Sequence, residues 1–201
     1  MASRLVLATH NAGKVAELSS ILAPLGFELL AQGALGVPEA DEPHDTFVEN
    51  ALAKARHCAR HTGLAALADD SGLCVPALGG EPGVHSAYFA GREGDRAMRD
   101  ARNNALLVER LAHVPDRRAH YYCVIVLVRS AHDPEPLIAE GRWAGEIVLA
   151  ARGEGGFGYD PHFLVPGTGR TAAELPAADK NRLSHRAQAV AGLVALLRDG
   201  R

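Results

Sequence analysis

Tyr121 to Val128 reads YYCVIVLV, a run without a charge or a turn former. It offers no polar face to water, and it is far shorter than the roughly 20 residues of a membrane helix. A strand buried on both sides satisfies both facts, so the run belongs at the centre of a sheet. The rest of the chain must then supply layers to cover it.

The flanking segments have the right periods. Arg4 to Ala8 (RLVLA) is a short strand; after a polar loop, Val15, Leu18, Ile21, Leu22 and Leu25 recur at helical spacing until Gly26. Gly33 to Asp45 is rich in Gly, Pro and acids and reads as an exposed loop. Thr46 and Glu49 form a capping box that opens a helix to about His61, before Gly63, with Phe47, Ala51, Ala55 and Cys58 as its buried stripe. Pro76 to Gly83 is dense in turn formers. A helix over Asp95 to His113 is predicted to bury Met98, Ala101, Ala105, Val108 and Leu111 and to leave Arg96, Arg99, Arg102 and Arg110 in water. Leu137 to Trp143 and Glu146 to Ala150 read as two strands joined near Ala144 and Gly145, and a last helix runs through Val190, Leu193, Val194 and Leu197. This order predicts an α/β fold with a mixed sheet.

With 201 residues, 47% of them hydrophobic, residues 1–201 can form one compact domain. A net charge of −3, from 21 basic and 24 acidic residues, gives no chain-wide attraction for nucleic acid or a membrane surface. No apolar run approaches a membrane span, and nothing at the N-terminus resembles a secretion signal. Cys58, Cys74 and Cys123 are too widely spaced for a disulfide framework or a thiolate metal site. These features predict a cytoplasmic protein with buried thiols.

The candidate chemistry lies in three places. Leu64 to Ala68 is an apolar run that stops at Asp69-Asp70-Ser71-Gly72. A strand ending in two carboxylates suits a hard cation such as Mg²⁺, although Asp-Ser-Gly alone is ordinary turn chemistry. If the loop before residue 46 folds back, Glu42 adds a third carboxylate, and Lys54 is placed to meet a phosphate. The loop Thr9, His10, Asn11, Ala12, Gly13 and Lys14 lies between strand and helix, where backbone N–H groups and a lysine favour phosphate; it is not a Walker A motif. Gly153 to Pro161 sets glycines around Phe157, Gly158, Tyr159 and Asp160, a composition that lets backbone approach a planar ligand or that simply plugs a core. Lys180, Ser184, His185 and Arg186 follow near a helix start, as phosphate and carbonyl partners or as an inert basic cap.

Five segments in order, THNAGK (9–14), TFVENALAKA (46–55), ADDSGL (68–73), GGFGYDP (155–161) and LSHRAQA (183–189), closely resemble the inosine triphosphate pyrophosphatase, or Ham1-like, family. The resemblance covers nearly the whole chain. It implies an elongated α/β fold whose mixed central sheet is flanked by helices, with two lobes and a crevice between them. It further implies a homodimer and Mg²⁺-dependent hydrolysis of ITP, dITP and XTP to monophosphate and pyrophosphate. Carried across, it puts the triphosphate on Thr9 to Lys14 and Lys54, and the metal on Glu42 and Asp69. Asp70 becomes the residue that binds or activates water and a further contact of the metal. Ser71 falls beside the substrate, and the base falls among Phe157 to Asp160, Lys180, His185 and Arg186. Donors from His185 or Arg186 would favour a 6-keto purine over adenine.

One segment departs from the family pattern: where Tyr and Arg are usual after Pro82-Gly83, this chain has His85 and Tyr88. Two other readings stay in view. A Maf-type nucleotide pyrophosphatase is disfavoured by the SHR and FGYD motifs. A non-catalytic nucleotide-binding module has little need for three grouped acids.

Overall fold

In a computed structural model of the chain, residues 3–9, 15, 18, 19 and 22–200 are described. Six strands form one sheet in the order β2-β1-β3-β4-β5-β6: β1 (Ser3–Leu7), β2 (Phe27–Ala31), β3 (Ala65–Cys74), β4 (Arg118–Val128), β5 (Leu137–Ile147) and β6 (Phe163–Leu164). β1 pairs in parallel with β2, Leu5 opposite Leu29, and with β3, Leu5 opposite Ala65; β5 and β6 are antiparallel, Ile147 opposite Phe163. The sheet is therefore mixed and the fold α/β. β4 is an interior strand, and Cys123 to Val128 are buried at every position, which is why that stretch carries no polar alternation.

The chain divides into two compact units. One comprises Met1–Asp70, Val124–Glu140 and Ala189–Arg201; the other comprises Ser71–Cys123 and Gly141–Gln188. In the first, Val15, Leu18, Ser19 and Leu22 are helical, with Leu18 and Leu22 fully buried; Ile21 lies outside the described residues. Leu25 belongs to a separate 3-10 turn, Ala23–Leu25, which Gly26 closes with a left-handed φ of 83°. The helix Phe47–Thr62 packs against β1 and buries Ala51, Ala55, Cys58 and Ala59. Its cap is as expected: Thr46 Oγ1 accepts the Glu49 N–H at 3.3 Å and donates to Glu49 Oε2 at 2.5 Å. In the second unit the core gathers Leu73, Leu107, Leu111, Tyr121, Trp143 and Phe163. Among the described residues, no helix is long and apolar enough to cross a membrane.

Three expectations fail for identifiable reasons. First, β3 does not stop at its acids but continues through Asp69 and Asp70 to Cys74. Asp and Gly are poor strand formers by themselves, yet β3, which pairs with β1 over Ala65–Leu67, adjoins β4 on its other side, and its far end is anchored by burial of Leu73 and by the bond from Leu73 N–H to Ser86 Oγ at 2.9 Å. Second, the helix Arg96–Leu111 buries Asn103, Leu107 and Leu111, while Ala101 and Ala105 are exposed and Met98 is 56% exposed. The buried row is led by a polar residue that hydrophobic periodicity passes over: Asn103 accepts the Ala90 N–H and donates to the Ser86 carbonyl. Third, Ala144 and Gly145 do not separate two strands, because β5 runs unbroken from Leu137 to Ile147 with alternate residues buried. Gly145 reflects close approach instead; a Cβ there would overlap the Phe163 ring of β6.

Candidate functional site

Two clusters hold the candidate residues, one in each compact unit. In the first unit, the loop before Phe47 is tied to the helix that follows it. Asn50 is buried, and its amide oxygen accepts the His44 N–H at 3.0 Å while its amide nitrogen donates to the His44 carbonyl at 3.1 Å. Two turns further, His57 Nε2 lies 3.1 Å from the Pro38 carbonyl oxygen. This fold-back brings Glu42 to Lys54, one helical turn beyond Asn50. Lys54 Nζ lies 2.7 Å from Glu42 Oε1 and 3.0 Å from Asp70 Oδ1.

The charge is unbalanced there. Burial works against the Lys54 ammonium, but Asp70, Glu42 and Asp69 outweigh it and hold its pKa above the ordinary value. Burial also pushes the Asp70 carboxyl up to about 6, against the pull of Lys54 and with the help of Glu42 and Asp69. Three carboxylates among the described residues thus act on the Lys54 ammonium. Asp70 Oδ2 is buried without a hydrogen-bond partner among the described residues, and Asp69 is buried as well. Among the described residues, no three His, Cys, Asp or Glu side chains stand close enough to form a ready-made cation site. Lys54 occupies the position between Glu42 and Asp70. Thr9, half-buried, follows Ala8, whose N–H bonds Leu67 of β3 at 2.8 Å. His10, Asn11, Ala12, Gly13 and Lys14 lie outside the described residues.

The second cluster is centred on Asp160, which is buried. Its Oδ2 accepts the Phe157 N–H at 2.8 Å and pairs with Lys180; its Oδ1 accepts the Tyr121 hydroxyl at 3.3 Å. Gly156, with φ of 76°, has its Cβ position already filled by Asp160 and Lys180, so the loop can be this tight only with glycine. Helix Arg96–Leu111 grips the same loop: Asp100 Oδ2 accepts the Gly158 N–H at 3.0 Å, and Asn104 Nδ2 donates to the Gly158 carbonyl at 2.9 Å. Tyr159 is buried, and its hydroxyl donates to the Ser86 carbonyl at 2.8 Å.

The two aromatics of this loop therefore part company. Tyr159 is a plug, whereas Phe157 is 50% exposed, with Lys180 Nζ 4.8 Å and the Arg96 guanidinium 4.7 Å from its ring centroid. His185 opens the helix His185–Arg198, is buried, and stacks on Tyr121. Arg186 Nη2 reaches Ser71 Oγ at 3.5 Å. Where the family pattern has an arginine, Tyr88 carries the Arg92 guanidinium 3.8 Å above its ring.

Sequence reading missed Tyr121, Arg96, Asp100 and Asn104. The i, i+4 spacing of Arg96, Asp100 and Asn104 was a usable signal, since it puts a cation, a carboxylate and an amide on one helix face. Tyr121 gave none, because a phenol in an apolar run reads simply as core.

A mixed α/β sheet with carboxylates and a lysine buried together, and a separate glycine-bounded aromatic loop flanked by cations, defines a protein equipped for polyphosphate chemistry and for a planar ligand. The chain belongs to the Ham1 family, whose profile matches residues 5–196. It is 66% identical over 195 residues to the dITP/XTP pyrophosphatase of Burkholderia pseudomallei (strain K96243), an alignment covering 97% of this chain and 93% of that protein. To the dITP/XTP pyrophosphatase of Ralstonia nicotianae it is 63% identical, covering 97% of this chain and 96% of that one. The solved structure of a HAM1 protein from Coxiella burnetii superposes with a TM-score of 0.93 at 46% identity, covering 98% of this chain and 99% of that one.

Proposed function

We propose that this chain hydrolyses dITP, ITP and XTP to the nucleoside monophosphate and pyrophosphate with Mg²⁺ as cofactor, keeping non-canonical purines out of the nucleotide pool. The chain is a nucleoside triphosphate pyrophosphatase, and the observation that carries the finer reading is the pair of buried carboxylates Asp69 and Asp70 beside the half-buried Lys54 and the exposed Glu42, with Asp70 Oδ2 unpartnered among the described residues.

Those residues fit a hard divalent cation: the donors are all carboxylate oxygens, one of them buried and, among the described residues, without a hydrogen-bond partner. Glu42, Asp69 and Asp70 would hold the ion, which when bound supplies positive charge to the phosphate oxygens and the departing pyrophosphate. Lys54 is poised to exchange its carboxylate partners for a phosphate oxygen. Asp70 takes the role of orienting water for attack on the α-phosphorus and accepting its proton. In the absence of a cation, burial raises that carboxyl to about 6, so it is mainly ionised at neutral pH and able to accept a cation or a proton. The P–O bond to the bridging oxygen breaks, and pyrophosphate leaves.

The phosphate loop Thr9 to Lys14 receives the triphosphate. Phe157 covers one face of the base, and Asp160 and Lys180 hold that ring in place. His185 and Arg186 donate toward a 6-keto group, which leaves the amino group of adenine without an acceptor. Ser71, within reach of Arg186, stands beside the substrate. The same reading carries a homodimer working in the cytoplasm.

The test is pyrophosphate release from dITP, XTP, dGTP and dATP with Mg²⁺, for the wild type and Asp70→Asn. Strong preference for dITP and XTP that disappears in Asp70→Asn is expected. Turnover of other nucleotides with dITP and XTP untouched would overturn the base assignment.

A further inference from the structure

Tyr121 is the point at which the parts of the second cluster meet. Its hydroxyl donates to Asp160 Oδ1, the carboxylate whose other oxygen anchors Lys180 and the Phe157 N–H. Its ring lies nearly parallel to the His185 imidazole, with centroids 4.8 Å apart and planes 12° apart. Phe163, tilted at 4.6 Å, and Trp143, at 6.3 Å, fix the ring from within the core. Burial and the Asp160 carboxylate raise the phenol's pKa well above its ordinary value, so it stays a neutral donor.

We propose that Tyr121 is a specificity-determining positioning residue for 6-keto purine nucleotides: its ring sets the plane of His185 and its hydroxyl sets Asp160. One side chain thereby coordinates the donor that reads the base with the loop whose Phe157 covers it. The inference rests on the base assignment above. It also explains why a buried strand position carries a phenol, since a phenylalanine would fill the same core but leave Asp160 Oδ1 without this donor.

Two substitutions separate the two contacts. Tyr121→Phe keeps the ring and removes the donor; KM for dITP and XTP is expected to rise about 3- to 10-fold, with kcat within about twofold and selectivity over dATP retained. Tyr121→Leu removes the stack, and the ratio of kcat/KM for dITP over dATP is expected to fall about tenfold or more, through KM. Leu111→Ala, which opens the same core from the far end of the helix Arg96–Leu111, serves as the control: it should lower Tm without moving that ratio.

If Tyr121→Leu lowers Tm and scales every nucleotide alike, Tyr121 is only a packing residue and the proposal fails. Should Tyr121→Leu not fold, Tyr121→Phe decides alone, and an unchanged KM for dITP and XTP overturns it. A wild type that cleaves dATP as well as dITP would bring down the base assignment itself, whereas an intact preference with inert Tyr121 variants would bring down this inference only.

Discussion

Asp70 and Asp133 are both buried carboxylates beside a basic side chain, yet they are shifted in opposite directions. Asp133 closes the connection between β4 and β5. Its Oδ2 accepts the backbone N–H of Arg129 at 2.8 Å and Nε of the same residue at 2.9 Å; its Oδ1 accepts Arg129 Nη2 and the Glu135 N–H, each at 3.0 Å. The Arg129 hydrogen bonds pull its pKa down to about 2. Asp70 has the Lys54 ammonium on one oxygen and no hydrogen-bond partner among the described residues on the other, and burial pushes it up to about 6. Both have a cation; what differs is whether the donors match the acceptor capacity of the carboxylate. Where they match, the group stabilises the fold. Where they do not, the fold carries a cost and retains a reactive oxygen.

Asp70→Asn should sharpen this contrast most. Its kcat/KM for dITP is expected to fall about 10²- to 10⁴-fold in the pyrophosphate assay, the range for loss of a positioned acid–base group. Its Tm in EDTA at neutral pH should not fall, because a neutral amide relieves a buried charge. A large loss of Tm would show Asp70 to be a structural carboxylate like Asp133.

Lys54→Met comes next. Removing the ammonium leaves Glu42 and Asp70 without their shared partner and the phosphate without its cation, so KM should rise about tenfold or more. Unchanged KM would mean that Lys54 only neutralises its neighbours.

Asp133→Asn is the reciprocal experiment, with stability as its readout. The folded pKa near 2 lies below the ordinary 3.8, so the ionised group stabilises the fold above about pH 4, and that contribution is lost as pH falls through 2. Denaturant unfolding at pH 7 should show a loss of about 1 to 2 kcal/mol, discounted for the water around Arg129, and the gap between wild type and variant should close below pH 2. Activity should be unchanged. The smallest effect is expected from Phe157→Leu, a several-fold rise in KM for dITP with Tm nearly constant, because that ring is half exposed.

Much of this protein could be read from local pattern. YYCVIVLV fixed an interior strand because an apolar run has only one kind of place to go, and Thr46 with Glu49 fixed the start of a helix because the cap is made by residues three apart. The ordered motifs identified the family. Other features depended on contacts distant in sequence. The continuation of β3 through Asp69 and Asp70 depended on β4 beside it and on the anchored Leu73 beyond, and the breakpoint misplaced at Gly145 was explained only when Phe163 came to lie over it.

The candidate site divides the same way. The acids, the lysines, Phe157 and His185 were evident as residue types, because such chemistry needs particular functional groups. That Glu42 reaches Lys54 was decided by Asn50 clasping His44, and that Asp70 is raised was decided by burial and by the one oxygen left bare. Tyr121 was invisible as a functional residue, since its stacking on His185 spans the distance from β4 to the last helix. By itself the sequence determined the elements and the chemical groups, because propensity and reactivity belong to residues. Only the tertiary structure decided which groups share a buried space, and the low dielectric of that space is what shifts a pKa and turns an ordinary carboxylate into a candidate base.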